Sequence, residues 1–212
     1  MVATDVVSGE RVVFDTGRGQ RIGPEHVMAS SAMLPLFAPI EVEGRLLADG
    51  GLSANAPVDL VLDTPATSDR LCFVVDLFAR EGSRPQSLAA SVSRATDLAF
   101  GNQSRRILQG QQTEHGLRAM IGQLAARLPA ELRESPDLAA ILAEGTDYRT
   151  RLLFLSLRAG LDEAGPGKML DFSRASLADR WQAGGLEMRA ALRTLEAPPA
   201  CAPEPTFECV RA

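Results

Sequence analysis

Hydrophobic positions change period several times along the chain, and each change predicts an element. Residues 2–7 and 11–14 carry strand-like apolar content on either side of Ser8-Gly9-Glu10, which predicts a hairpin. A polar, glycine-rich stretch over 16–23 predicts a loop. Pro24 suits a first helical position and Glu25 a first turn, so residues 24–32 predict a short helix that Pro35 and Pro39 end. A second hairpin is expected between Glu41 and Leu47. The apolar run Leu46-Leu47-Ala48 then predicts a strand that delivers Asp49 to a sheet end, and residues 57–62 predict another helical turn.

The second half reads differently. Residues 71–78 are unbrokenly apolar apart from Asp76, with the β-branched content of a core strand in a parallel sheet. Leu88, Val92, Ala95 and Ala99 share one helical face; Leu117, Met120, Ile121, Leu124 and Leu128 share another. Between them, residues 102–113 are polar and either stay helical or bend at Gly110. Pro129 stops this region, and Leu138, Ile141 and Leu142 mark a shorter helix ending near Gly145. Residues 152–157 predict a further strand. Ser176 with Asp179 predicts a capping box opening a helix with Leu177, Trp181, Met188, Leu192 and Leu195 on one stripe. Gly184-Gly185 would cost that helix about 1 kcal/mol per glycine relative to alanine, which leads us to expect close packing there. From Ala197 the Pro-rich tail is expected to be disordered.

Composition changes this picture little. The 212 residues are 45% hydrophobic and 23% charged, ordinary for a globular protein with one real core. A net charge of -5 gives no electrostatic reason to expect nucleic acid. No apolar run approaches a transmembrane span, and Asp5 and Glu10 spoil any signal peptide, so a cytoplasmic protein, at most peripheral at membranes, is expected. Three cysteines are too few for a disulfide framework. Cys72 reads as a small core hydrophobe. Cys201 and Cys209 have no metal-ligand partners nearby, and whether they pair is open.

The most informative residues are Asp49-Gly50-Gly51. Glycines after an aspartate allow positive φ and close backbone approach, so a tight turn can push a short carboxylate forward. Upstream lies Ala29-Ser30-Ser31-Ala32-Met33-Leu34-Pro35-Leu36-Phe37-Ala38-Pro39, and downstream Asn55-Ala56-Pro57. Together with the hairpin at Ala3-Thr4-Asp5 and the later Asp171-Phe172-Ser173-Arg174, these segments resemble the patatin-like phospholipases, acyl hydrolases with a Ser-Asp dyad. The likeness covers residues 2–63, weakens over the following strand and returns at 171–195.

That resemblance implies an α/β fold: an incomplete patatin-like three-layer sandwich with a partly parallel sheet and a helical C-terminal extension. The expected division is 1–80 for the core carrying the aspartate motif, 81–196 for a helical extension with one strand, and 197–212 for the tail. The resemblance implies that Asp49 is the dyad base, with Gly50 and Gly51 shaping its turn. The apolar, proline-stiffened segment holding Met33, Leu34, Leu36 and Phe37 would line an acyl channel. The substrate would be a lipid ester, with no cofactor and no metal. The chain contains no Gly-x-Ser-x-Gly. The family's nucleophile elbow lies N-terminal to the matching hairpin, so the chain resembles a C-terminal part, whether from a truncated gene, a mis-called start, a split enzyme or a fragment. It is expected to be inactive alone, and to associate with a complementing N-terminal segment or with itself through an exposed sheet edge. The alternative is a non-catalytic α/β interaction module or a truncated pseudoenzyme.

Other candidates carry less. The run from Gly17 to Gly23 resembles a dinucleotide loop but is one residue too long, and reads as a surface turn. Arg105-Arg106 reads as a solvated helix face. His26 and His115 read as structural or surface histidines, and Ser30 and Ser31 lack the sharp glycine-flanked turn of a nucleophile. Asp5 reads as a turn or hydrogen-bonding group.

Overall fold

The computed structural model describes residues 1–64, 66–78, 84–156, 171–196 and 206–211. Strands β1 (Val2–Asp5) and β2 (Arg11–Val13) form the expected hairpin. Asp5 organises its turn: Oδ1 accepts from the Val7 and Ser8 amides at 2.9 and 3.1 Å, and Oδ2 meets Arg45 Nε at 2.7 Å. Helix α1 (Pro24–Ser30) starts on its proline with Glu25 in the first turn. Strands β3 (Ile40–Val42) and β4 (Arg45–Asp49) flank Glu43-Gly44, both at positive φ, the two-residue turn whose twist matches its strands. These four strands make one antiparallel sheet in the order β2-β1-β4-β3, with Asp49 opposite Ala3. Ala3, Phe14, Ala29, Val42 and Leu47 form the core between this sheet and α1.

After two short helices, α2 (Gly51–Ala54) and α3 (Val58–Leu62), the chain builds a second, parallel sheet. Its order is β5 (Arg70–Asp76), β6 (Thr150–Ser156), β7 (Phe207–Arg211). Parallel neighbours need long crossovers. Here β5 and β6 are separated by α4 (Leu88–Arg127), α5 (Ala130–Arg133) and α6 (Pro136–Leu142), and α7 (Arg174–Glu196) lies between β6 and β7. Strand β6 is central and sends alternate residues to opposite layers. Leu152 and Phe154 pack with Val58, Val74 and Leu108 on the α3–α4 side. Leu153 and Leu155 pack with Met188, Ala191 and Leu195 of α7. The architecture is mixed α/β, with helices on both faces of the parallel sheet, as expected.

Four expectations need correction. First, α4 is one continuous helix of 40 residues, and most of the apolar stripes assigned to it face outward: Leu88, Val92, Leu117, Met120 and Leu124 are exposed. It buries Phe100, Gly101, Ser104, Leu108, His115 and Ala119 instead. Small side chains let it lie close; at Gly122 a Cβ would come within 2.5 Å of the Thr146 carbonyl. Second, β5 is parallel but buried on one face only. Leu71, Phe73 and Val75 share the α7 face of the sheet by register, yet all three are exposed. Third, α7 is capped by Ser173 rather than Ser176: the Ser176 amide donates to Ser173 Oγ at 3.3 Å. Among the described residues nothing lies within 4 Å of a Cβ at Gly184, and Gly185 would meet only the Arg189 side chain, so the expected close packing is not seen there. Fourth, the tail is not without structure, because Phe207–Arg211 is strand β7. Residues 197–205 and 212 lie outside the described residues, and with Cys201 goes the question of its pairing with Cys209.

Candidate active site

Strand β4 ends on Asp49, and the chain turns at once into α2. Both sides of the turn are fixed. Asp49 N–H donates to the Ala32 carbonyl at 3.0 Å, and the Asp49 carbonyl accepts from Thr4 Oγ1 at 2.9 Å. The glycines are needed for closeness rather than for unusual torsions. Gly50 has φ -64°, an ordinary helical value, but a Cβ there would run into the Val2 carbonyl. A Cβ on Gly51 would stand 3.0 Å from Asp49 Oδ1.

The carboxylate itself is half-buried. Oδ1 accepts the Gly51 N–H at 2.7 Å, while among the described residues Oδ2 receives no hydrogen bond and no cation pairs with it. Burial pushes the Asp49 carboxyl above its ordinary value, and the Gly51 amide offsets part of that rise. One oxygen is anchored and the other is open. This is the arrangement a carboxylate needs to accept a proton from a neighbouring hydroxyl.

Strand β4 belongs to the antiparallel sheet, so the rule that ligands gather at the carboxyl ends of parallel strands does not place Asp49 directly. The following residues restore it. Asn55 Nδ2 donates to Asp76 Oδ1 at 3.1 Å and to Ser104 Oγ at 3.0 Å, and its backbone N–H donates to Gln103 Oε1 at 2.7 Å. Asp76 is the last residue of β5 and only 3% exposed. The aspartate turn is thereby docked at the carboxyl end of the parallel sheet. Sequence reasoning gave Asn55 and Asp76 no role. The signals were there: the Asn-x-Pro motif, and a single acid inside an otherwise apolar strand.

The proposed channel residues sit on the segment between α1 and β3. Met33 is half-buried, and Leu34, Leu36 and Phe37 are exposed, on the segment joined to Asp49 through Ala32. Ser30 Oγ donates to the Val2 carbonyl at 2.7 Å and Ser31 Oγ to the Val27 carbonyl at 2.8 Å, so both act within the scaffold. The run from Gly17 to Gly23 is a surface turn, exposed as far as Arg21, with Ile22 packed against the core of the antiparallel sheet. His26 is buried against Phe14 and accepts the Gly23 amide at its Nδ1, capping α1. His115 is buried on α4 between Tyr148 and Phe207. It lines a cavity of about 380 Å³ with Arg70, Arg118, Tyr148 and Thr150, at the amino ends of the parallel strands and away from Asp49. Burial lowers its pKa first of all, helped by the charges of Arg70 and Arg118. Cys72, on β5, is half-buried, and burial raises its pKa. Among the described residues no group of His, Cys, Asp or Glu is placed to hold a metal, and no helix is long and apolar enough to cross a membrane.

Fold and site together define a mixed α/β protein with a glycine-framed carboxylate docked where two sheets meet. The chain belongs to the patatin-like phospholipase family: a family model described as patatin phospholipase matches residues 98–205, and a second, patatin-like phospholipase, matches residues 15–62. The second match includes Asp49 and its glycines; the first spans most of α4, β6 and α7. No curated protein matches the chain.

Proposed function

We propose that Asp49 is the base of a Ser-Asp dyad, and that this chain is the aspartate-bearing part of an acyl hydrolase acting on lipid esters. The observation that carries this reading is the half-buried Asp49 carboxylate with one oxygen tied by Gly51 N–H and the other open. A serine hydroxyl placed against that open oxygen gives up its proton as Oγ attacks the ester carbonyl. The proton passes to the leaving alcohol. Asp49 then takes a proton from water as the water oxygen attacks the acyl-serine, and returns it to Oγ as the acyl–Oγ bond breaks and the free acid leaves. A raised carboxyl pKa favours proton uptake in both steps.

These 212 residues hold no Gly-x-Ser-x-Gly, so in this reading the serine comes from another segment. The bare Leu71, Phe73 and Val75 face of β5, paired along one edge among the described residues, supports docking of such a segment or of a second copy. The exposed Leu34, Leu36 and Phe37 would meet the acyl chains. The same bare face supports a second reading, a non-catalytic interaction module.

The test is hydrolysis of a short-chain nitrophenyl ester. The expected results are no turnover by the chain alone, turnover after addition of a segment bearing Gly-x-Ser-x-Gly, and loss of that turnover in Asp49→Asn. Turnover by the chain alone that Asp49→Asn abolishes would overturn the claim that its serine lies elsewhere. A complemented enzyme indifferent to Asp49→Asn would overturn the role of Asp49, and binding of a segment without turnover would favour the interaction module.

A further inference from the structure

Helix α2 has four residues, too few to hold itself, and it begins immediately after the carboxylate. Its near end is pinned to the antiparallel sheet through Thr4, whose hydroxyl donates to the Asp49 carbonyl at 2.9 Å and lies 3.0 Å from Ser53 Oγ. Its far end is pinned by Asn55. Both amide protons of that side chain are used, one on Asp76 Oδ1 and one on Ser104 Oγ, and Gln103 grips the backbone twice, at Asn55 N–H and at the Leu52 carbonyl. Asp76 also accepts the Phe78 amide at 3.0 Å. The position a Gly51 Cβ would take lies 3.0 Å from Asp49 Oδ1 and 3.6 Å from Asn55 Oδ1, so the two side chains flank the same glycine.

We infer that Asn55 is a positioning residue for Asp49, and that its bond to the buried Asp76 sets how the aspartate turn sits against the carboxyl end of β5. The reasoning is geometric. Neither Gly50 nor Gly51 has a side chain to lock the turn, and among the described residues the carboxylate is tied by one donor, the Gly51 N–H. The orientation of its open oxygen therefore depends on where α2 is held. A carboxylate taken out of water is costly unless its oxygens are hydrogen-bonded, so Asp76 is a strong acceptor and Asn55 its polar tie to the motif.

The inference rests on Asp49 being the dyad base, and its test keeps the two claims apart. The carboxyl carbon of Asp49 is titrated by NMR in the chain alone, and turnover is measured in the complemented enzyme. In Asn55→Ala we expect the Asp49 titration to move back toward the ordinary carboxylate value, and kcat to fall about 10- to 100-fold with KM within about twofold, as for an ångström-scale misplacement of a reacting group. Asn55→Asp sets two carboxylates together and should be at least as harmful. The exchange Asn55→Asp with Asp76→Asn keeps one acid and one amide in the pair, though it gives up the Ser104 bond, and should recover part of the kcat lost in Asn55→Asp, which a loss of bulk packing would not predict. An unchanged Asp49 titration and kcat in Asn55→Ala overturns the inference. So does an exchange variant no better than Asn55→Asp, which also decides the matter if Asn55→Ala fails to fold. If Asp49→Asn keeps its turnover, the base assignment is what fails, and the titration in the single chain still judges Asn55.

Discussion

The two sheets are built on different kinds of information. In the antiparallel sheet, β1 pairs with β2 and β3 with β4 across short turns, and the residues that make those turns are its own neighbours: Asp5 and Gly9 in one, Glu43 and Gly44 in the other. In the parallel sheet, β5 meets β6 only after three helices, and β7 arrives from the far end of the chain. Local turns settle the two hairpins of the first sheet, which the β1–β4 pairing then joins. Packing settles the second, and it leaves β5 half bare. The site lies where the two kinds of order meet, with Asp49 on one sheet and its anchor Asp76 on the other.

The sharpest way to break this contrast is to shave the same row of the parallel sheet at its covered and bare positions. Leu153 is 0% exposed and Phe73, its register partner, 45%. Leu153→Ala should cost about 2–5 kcal/mol in urea unfolding, as for a buried leucine. Phe73→Ser should stay within about 0.5 kcal/mol, as for a surface site. A large penalty at Phe73 would mean that its face is covered in solution, and sedimentation would show by what.

A second pair of variants probes turns against helices. Gly50→Ala forces a methyl into the Val2 carbonyl and should cost about 1–3 kcal/mol, since backbone lies on both sides. Gly110→Ala, in α4 with nothing within 4 Å, should stabilise by about 0.5–1 kcal/mol. Equal effects would remove the claim that closeness selects glycine at position 50.

The remaining predictions concern pH. Folding lowers the pKa of His115 below its ordinary 6.5, so below that pH the unfolded chain binds the extra proton first. Stability of the parallel sheet should therefore decline as pH drops from 6.5 toward the lower folded value, and His115→Gln should flatten the slope of Tm against pH across that interval. In the antiparallel sheet the window is more acidic. Arg45, with the Ser8 and Val7 amides, holds the Asp5 carboxyl at about 2, against an ordinary 3.8. Its contribution is complete above 3.8 and is lost as pH falls through about 2. Arg45→Gln should narrow that acid-labile step, and added salt should shrink it because the guanidinium is exposed. This is the smallest effect expected.

What could be read in the chain beforehand follows the same division. The hairpins, the α1 start at Pro24 and the Asp49 turn were legible because proline, glycine and alternating apolar residues act on their immediate neighbours. The buried face of α4 was not, because counting apolar positions favours Leu117 and Met120, while the face packed on the neighbouring elements carries the small residues Gly101, Ser104 and Ala119. Strand β7 was hidden because Phe207 and Val210 make a weak strand signal, and β6, which completes it, is remote in sequence. Trp181, read as part of a core stripe on α7, is 85% exposed, and nothing in the structure explains it. At the candidate site, Asp49 is singled out by its own motif, whereas Asp76 comes into view only through its bond to Asn55.

At 1.5 Å per residue, the 40 residues of α4 form a rod of about 60 Å, roughly twice the breadth of a small domain. Full burial begins at Phe100, and Gln103 and Ser104 grip Leu52 and Asn55 within the next turn. The helix is thus a long strut that braces the aspartate turn through Gln103 and Ser104. Any load along this helix is in mechanical series with the carboxylate.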